Sequence, residues 1–159
     1  MNHFQADVPW TITQAALDDI EAHAREERPR ECCGVLLGVG APVQPVEAVE
    51  AGGRVMEARR APNLSDNANR YELDPKVHVQ LLREARARAL DVVGFYHSHP
   101  HSPATPSPTD VAESAYQDLL HVIVSLEQLD ADIRAFRLGG GSYAEVALTR
   151  VMKATTRTG

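Results

Sequence analysis

Apolar residues recur every three or four positions in two stretches of the chain, a spacing that places them on one face of an α-helix. The first stretch predicts a helix over about 12–27, opened by a capping box in which Thr11 and Gln14 pair with free backbone N–H groups. The second predicts a helix over about 75–90, because Asp74 is a favourable N-cap and a proline follows it. The periodic positions are Ile12, Ala16, Ile20 and Ala24 in the first stretch, and Val79, Leu82, Ala85 and Ala89 in the second.

Short apolar runs bounded by glycine, proline or polar residues predict the strands of a sheet. The run over 32–38 is almost wholly apolar, which indicates a buried strand. Four of the ten prolines lie between Pro100 and Pro108, which excludes a regular helix or inner strand there and predicts a stiff loop. A third helix is expected over about 108–119, so the pattern predicts an α/β or α+β sheet covered by helices. The other expected strands cover 46–51, 54–61, 91–96, 121–126, 133–138 and 143–149.

The length of 159 residues and the hydrophobic content of 43% fit one domain over 1–152, followed by a flexible tail over 153–159. The formal net charge of −6 leaves no broad basic face, so we expect no nucleic-acid partner. The longest uncharged stretch is about twelve residues, short of the ~20 that cross a bilayer, and the N-terminus lacks a signal-peptide pattern. We therefore expect a cytoplasmic protein without membrane attachment.

Cys32 and Cys33 are adjacent, which disfavours a disulfide and indicates free thiols.

The segment over 94–100 contains two histidines and a terminating proline. Residues two apart in an extended segment project to the same side, so His97 and His99 can offer two imidazole nitrogens to one metal ion. Asp110, which lies beyond the stiff loop, can supply a third ligand. Two nitrogens and one oxygen leave a fourth tetrahedral position open, which is typical of catalytic zinc sites. Such a site needs a group that moves protons, and Glu31, at the start of the 32–38 strand, is the candidate.

Each of these residues also has a structural explanation when it is taken alone. Ser107-Pro108-Thr109-Asp110 fits a helix N-terminus, with Ser107 as N-cap and Asp110 in the first turn. That explanation does not exclude metal ligation, because a side chain at a helix start can face a cleft. A lone His-x-His pair is more often a structural or surface feature than a metal site. The combination of all these residues therefore favours a metal site more strongly than any one of them.

Together the residues resemble the JAMM motif of the MPN+ zinc metallopeptidases: His97-x-His99, seven further residues, Ser107-x-x-Asp110, and Glu31 upstream. The resemblance covers about 11–149. It implies an α/β fold with a curved mixed β-sheet packed between helices, similar to that of the cytidine deaminases. It also implies that His97, His99 and Asp110 are the ligands of one catalytic zinc ion. By the same resemblance, Glu31 is the general acid/base and Ser107 hydrogen-bonds the oxyanion.

The activity that the resemblance implies is hydrolysis of amide or isopeptide bonds at the C-terminal Gly-Gly tail of ubiquitin-like or sulfur-carrier proteins. Release of a cysteine or a short peptide from a sulfur-carrier protein is an alternative, and a non-catalytic or autoinhibited scaffold is another. A deaminase is disfavoured, because Cys32-Cys33 lacks the Pro-Cys-x-x-Cys spacing that holds the metal in those enzymes. An extended Gly-Gly tail suits a narrow groove beside a sheet edge, and we expect that edge within 54–73.

Overall fold

The computed structural model describes residues 8–40, 52–114, 116 and 119–152. These residues form one mixed sheet of eight strands and three helices, none of them long and apolar enough to cross a membrane. The strand expected over 46–51 and the tail expected over 153–159 lie outside the described residues. The strands are β1 (Trp10–Thr13), β2 (Cys33–Val39), β3 (Arg54–Ala61), β4 (Asp91–His99), β5 (Leu120–Ser125), β6 (Asp132–Gly139), β7 (Ser142–Val146) and β8 (Leu148–Val151). The helices are α1 (Gln14–Glu27), α2 (Pro75–Ala87) and α3 (Pro108–Glu113).

The sheet is curled so that its two edges converge. Its strands run in the order β7-β6-β5-β4-β2-β3-β1-β8, which puts β7 and β8 at opposite edges. Only Ala147 separates these two strands in sequence, and its carbonyl accepts a hydrogen bond of 2.9 Å from Trp10 N in β1. β4 lies in the middle of the sheet, antiparallel to β2 and parallel to β5. The C-terminal end of β4 is therefore supported by a strand on each side.

Helices cover both faces of the sheet. α1 packs on one face, where Ile20 is fully buried in the same apolar cluster as Leu36 of β2. α2 packs on the other face, where Leu81 clusters with Val35 and Leu37 of the same strand. Successive residues of β2 thus contribute to opposite layers, as the alternation of side chains along a strand requires. The predicted fold, a curved mixed sheet between helices, is confirmed.

The first helix begins two residues later than predicted. Thr11 and Ile12 belong to β1, where they pair in parallel with β3 and β8. The N-cap of α1 is Thr13, whose Oγ1 accepts a hydrogen bond of 3.1 Å from Ala16 N. The capping box predicted at Thr11 is therefore wrong, because the backbone of Thr11 pairs with neighbouring strands instead of opening the helix.

α2 buries a different face from the one that the periodicity predicted. Val79 and Leu82 are 48% and 42% exposed, whereas Leu81 and Ala85 are 6% and 1% exposed. Of the two buried residues, Leu81 and Ala85, only Ala85 belongs to the predicted face. This part of the sequence has apolar residues on both sides of the helix, so spacing alone did not identify the side that meets the sheet. The helix also ends at Ala87, before the expected end near residue 90.

Three further boundaries differ from the predictions. β4 continues to His99, so the strand includes the histidine pair instead of ending at residue 96. α3 ends at Glu113, well before residue 119. The strand expected over 143–149 is divided at Ala147 into β7 and β8, because the curl of the sheet brings both of its edges to this segment.

Candidate active site

The end of β4 positions the two histidines side by side. His97 pairs with Cys33 of β2 and Ile123 of β5, which keeps the strand extended up to His99. The two imidazoles therefore lie on the same face, and their Nε2 atoms are 3.1 Å apart. Both side chains are buried, at 2% and 5% exposure. His99 Nδ1 is 2.8 Å from Pro103 O; since a carbonyl only accepts, Nδ1 carries a hydrogen, and Nε2 offers a lone pair when the ring is neutral.

The first turn of α3 presents Asp110 to these histidines. Ser107 is the N-cap: its Oγ accepts from Asp110 N at 3.0 Å, and its N–H donates to Asp110 Oδ2 at 2.9 Å. The same Oδ2 lies 3.2 Å from the Nε2 atoms of both His97 and His99. The helix-cap explanation of Ser107 and Asp110 is thus compatible with a ligand role, because the cap fixes the carboxylate where the two histidine nitrogens converge.

The three candidate ligand atoms form a nearly equilateral triangle with sides of 3.1, 3.2 and 3.2 Å. Ligand atoms about 2.0–2.1 Å from a tetrahedral zinc ion lie about 3.3–3.4 Å apart, so the triangle needs an adjustment of only about 0.2 Å. Two imidazole nitrogens and one carboxylate oxygen are donors that zinc accepts. The residues present therefore fit a zinc ion held by three protein ligands.

Burial and mutual contact set the protonation of these three residues. Burial lowers the pKa of His97 by more than its contact with Asp110 raises it, so the ring is neutral at pH 7. Burial opposes ionisation of Asp110, but the contacts with His97 and His99 outweigh it and hold the pKa of Asp110 well below its usual range. For His99, burial is outweighed by Asp110 and the Pro103 carbonyl, which raise its pKa. A charged Asp110 and a neutral His97 are the forms that ligate metals.

Glu31 approaches the histidines from the start of β2. Its side chain is 7% exposed, and one carboxylate oxygen lies within 4.8 Å of an imidazole nitrogen of both His97 and His99. In the described part of the chain the Glu31 carboxylate makes no hydrogen bond to either ring, whereas Asp110 Oδ2 contacts both. Burial raises the pKa of Glu31 to about 7; His99 opposes this rise and the charge of Asp110 adds to it. Glu31 is thus a buried carboxyl beside the triangle, without a hydrogen bond to either imidazole among the described residues.

Two residues around the site were missed by sequence reasoning. The Tyr71 ring stacks on the His97 imidazole, with centroids 4.4 Å apart and planes inclined by 23°. Ser98 is fully buried and faces the opposite side of β4, where its Oγ accepts a hydrogen bond of 2.8 Å from Cys32 N. The strand alternation indicates the direction of Ser98, but no periodic signal identifies Tyr71, which lies in a polar loop.

Comparison with known proteins places these observations in a family. Residues 13–139 match the family of prokaryotic homologues of the JAB domain. A desampylase from Haloferax volcanii is 33% identical over 142 residues, which cover 87% of this chain and 94% of that protein. A CysO-cysteine peptidase from Mycobacterium tuberculosis is 30% identical over 125 residues, covering 78% of this chain and 79% of that one. A probable TtuB-protein conjugate cleaving protease from Thermus thermophilus is 31% identical over 139 residues, which cover 86% of this chain and 80% of that protein.

The fold is also shared with solved structures. The solution structure of a protein from Desulfitobacterium hafniense superposes with a TM-score of 0.76, at 24% identity, over 91% of this chain and 95% of that one. The family match alone covers 127 of the 159 residues, counted from 13 to 139. This chain belongs to the family of prokaryotic homologues of the JAB domain.

Proposed function

We propose that this protein is a cytoplasmic, zinc-dependent peptidase that hydrolyses the amide or isopeptide bond at the C-terminal Gly-Gly tail of a ubiquitin-like or sulfur-carrier protein. The observation that carries the proposal is the convergence of His97, His99 and Asp110, whose ligand atoms lie within 3.2 Å of one another beside Glu31. The similarity to a desampylase, to a CysO-cysteine peptidase and to a probable protease for TtuB-protein conjugates supports the reaction class.

Each residue of the site has its own role in this proposal. His97, His99 and Asp110 hold the ion, which when bound polarises the scissile carbonyl and lowers the pKa of water to about 7. The Glu31 carboxylate accepts a proton from the attacking water and delivers it to the leaving amine. Among the described residues the carboxylate makes no hydrogen bond to either histidine, which supports this role because its oxygens remain available to exchange that proton.

Ser107 donates a hydrogen bond to the oxyanion that develops on the scissile carbonyl. A serine hydroxyl has one donor hydrogen and two acceptor lone pairs. Ser107 Oγ uses an acceptor position for Asp110 N at 3.0 Å, which leaves its O–H to donate. Ser107 and Asp110 line one cavity of about 170 Å³, and this shared cavity supports the assignment.

The Gly-Gly tail binds along β3 in this proposal. β3 pairs with β2 along its length but with β1 only at Arg54 and Val55. Among the described residues, no strand pairs with the other side of 57–61. A tail without side chains enters a narrow groove, and its backbone can pair with an open strand edge. We therefore propose residues 57–61 as the binding edge, within the range 54–73 that the sequence indicates.

Release of a single cysteine from a carrier protein is a second candidate, favoured by the 30% identity to a CysO-cysteine peptidase. The two reactions use the same site and differ in the leaving group. A carrier protein joined through its terminal glycine to a lysine side chain is the substrate for the first. The same carrier extended by one cysteine is the substrate for the second.

Incubation with each substrate, followed by intact-mass spectrometry, identifies the bond that is cut. We expect the free carrier, ending in Gly-Gly, from at least one substrate. A metal chelator and the Glu31→Gln variant are the controls: the chelator abolishes the product, and the variant slows its release about 10²–10⁴-fold. An inactive scaffold releases the carrier from neither substrate, and that result contradicts the proposed function.

A further inference from the structure

The loop over 62–74, between β3 and α2, contacts three separate parts of the site. It hydrogen-bonds the backbone of Glu31 and packs an aromatic ring on His97. It also forms an ion pair with α3, the helix that carries Asp110. One loop therefore links the elements whose relative positions the reaction depends on. The contacts are those of Asn63 and Ala68 with Glu31, of Tyr71 with His97, and of Arg70 with Glu113.

Asn63 is the centre of the hydrogen bonding in this loop. Its Nδ2 donates to the carbonyls of Glu31 and Arg70, both at 2.9 Å. Its Oδ1 accepts from the backbone N–H groups of Ser65 at 2.9 Å and Glu72 at 3.0 Å. These four bonds use both hydrogens and both lone pairs of the amide. Aspartate, which has nearly the same shape, keeps the two acceptor positions and loses both donors.

Glu31 depends on this loop because it lies outside the ladder of the sheet. β2 begins at Cys33, two residues after Glu31. The N–H of Glu31 donates to Ala68 O at 2.9 Å, and its carbonyl accepts from Asn63 Nδ2. The loop thus bonds the peptide groups on both sides of the Glu31 Cα, and Ser98 Oγ accepts from the N–H of the second group, that of Cys32. Together they set the direction in which the carboxylate leaves the backbone toward the histidines.

We propose that Asn63 is a positioning residue for the Glu31 carboxylate, and that it controls kcat without touching substrate or metal. The inference rests on the proposed role of Glu31 as proton carrier. The chemical reason is geometric, since displacing a reacting group by about 1 Å costs on the order of 10²-fold in rate. Within the described residues Asn63 forms no hydrogen bond with His97, His99 or Asp110, so its replacement removes no contact with a proposed metal ligand.

The variant that isolates this role is Asn63→Asp, with Asn67→Asp as its matched control. Asn67 lies in the same loop and is exposed, and its Oδ1 accepts from Asn69 N at 2.9 Å. In the described part of the chain no group accepts from Asn67 Nδ2, so its replacement removes no donor bond. Each substitution adds one negative charge to the same loop. Only Asn63→Asp removes the bond to Glu31.

Three readouts on the full-length protein decide the inference: steady-state cleavage of the carrier substrates, zinc content, and backbone amide hydrogen exchange. For Asn63→Asp we expect kcat to fall about 10–100-fold, with KM within about twofold and zinc content unchanged. We expect the Glu31 amide to exchange about tenfold faster or more, while the Val122 amide of central strand β5 keeps its rate. Asn67→Asp matches the wild type in all three readouts.

The inference is overturned if Asn63→Asp retains wild-type kcat, or if kcat falls while the Glu31 amide keeps its exchange rate. It is also overturned if Asn67→Asp causes the same loss, or if the Val122 amide accelerates as much as that of Glu31, since the effect is then general. If the wild type cleaves neither carrier substrate, the proposed function fails. Exchange at Glu31 still decides whether Asn63 holds its backbone.

Discussion

The ring of Tyr71 stacks on the imidazole of His97, with centroids 4.4 Å apart and planes inclined by 23°. The same imidazole directs its Nε2 toward Asp110, at 3.2 Å. A ring stacked at this distance restricts rotation of the imidazole out of the orientation that meets Asp110. Burial raises the pKa of Tyr71, so its phenol stays neutral at physiological pH. Tyr71 therefore adds an uncharged aromatic wall to the candidate metal site.

Tyr71→Ala is expected to weaken zinc binding by about tenfold, and Tyr71→Phe by less than about twofold. An aromatic contact contributes about 0.5–1.5 kcal/mol, and alanine removes it, whereas phenylalanine keeps the ring. Competition with a chromophoric zinc chelator measures both affinities. Equal weakening in the two variants contradicts this explanation, because it assigns the effect to the hydroxyl and not to the stacked ring.

Glu31→Gln separates proton transfer from metal binding. The amide has nearly the same size as the carboxyl but cannot carry the proton, so we expect turnover to fall about 10²–10⁴-fold. Zinc content stays at the wild-type level, because Asp110 and the histidines provide the ligands. Metal analysis and the carrier-cleavage assay are run on the same preparation. Turnover near the wild-type rate, or loss of zinc, removes Glu31 from the role proposed for it.

Zinc is expected to raise the temperature of unfolding. A ligand at 100 times its dissociation constant stabilises the folded state by about 2.7 kcal/mol, which corresponds to about 5–10 °C for a chain of this size. His97→Ala removes a ligand and therefore this shift. His101→Ala, which replaces an exposed histidine four residues along the chain, keeps it. Calorimetry with and without added zinc measures the effect, and an unchanged shift in His97→Ala excludes the proposed ligand set.

The geometry of the histidine pair could be predicted from sequence because it depends on a local rule. Side chains two apart on a strand share a face, and the spacing of His97 and His99 needs no distant information. The position of Asp110 could also be predicted in part from local sequence, since the signals of a helix N-terminus place it in the first turn. The residues alone made a contact between Asp110 and the histidines possible, and the family resemblance made it a prediction, because the loop between them has no periodicity.

The surroundings of Glu31 could not be predicted, because they depend on contacts between distant segments. Asn63 donates a hydrogen bond to the Glu31 carbonyl although the two residues are 32 positions apart in sequence, and no local pattern predicts that bond. The same limit explains the error in α2, where Leu81 instead of Leu82 meets the sheet. It also explains the division at Ala147, which depends on how the whole sheet curls.

A pH-sensitive contact lies in the core beneath α1. His23 Nδ1 and Tyr96 OH are 2.7 Å apart, and both side chains are buried. Burial lowers the pKa of His23 below 6.5; the charge of Arg60 lowers it further, while Glu27 and Glu26 oppose the shift. The folded state therefore binds fewer protons than the unfolded state below pH 6.5. The stability from a neutral His23 is fully present above this pH and is lost as the pH falls toward the folded-state pKa.

His23→Gln is expected to flatten the dependence of stability on pH. Glutamine can still hydrogen-bond the Tyr96 hydroxyl but does not titrate, so the variant lacks the acid-induced loss that His23 contributes. Denaturant unfolding of both proteins between about pH 7.5 and 5.5, with a chelator present to exclude zinc release, gives the two curves. The other buried histidines titrate in both proteins, so the difference between the curves isolates His23. Parallel curves over this range would show that His23 has the same pKa folded and unfolded, contrary to its burial against Tyr96.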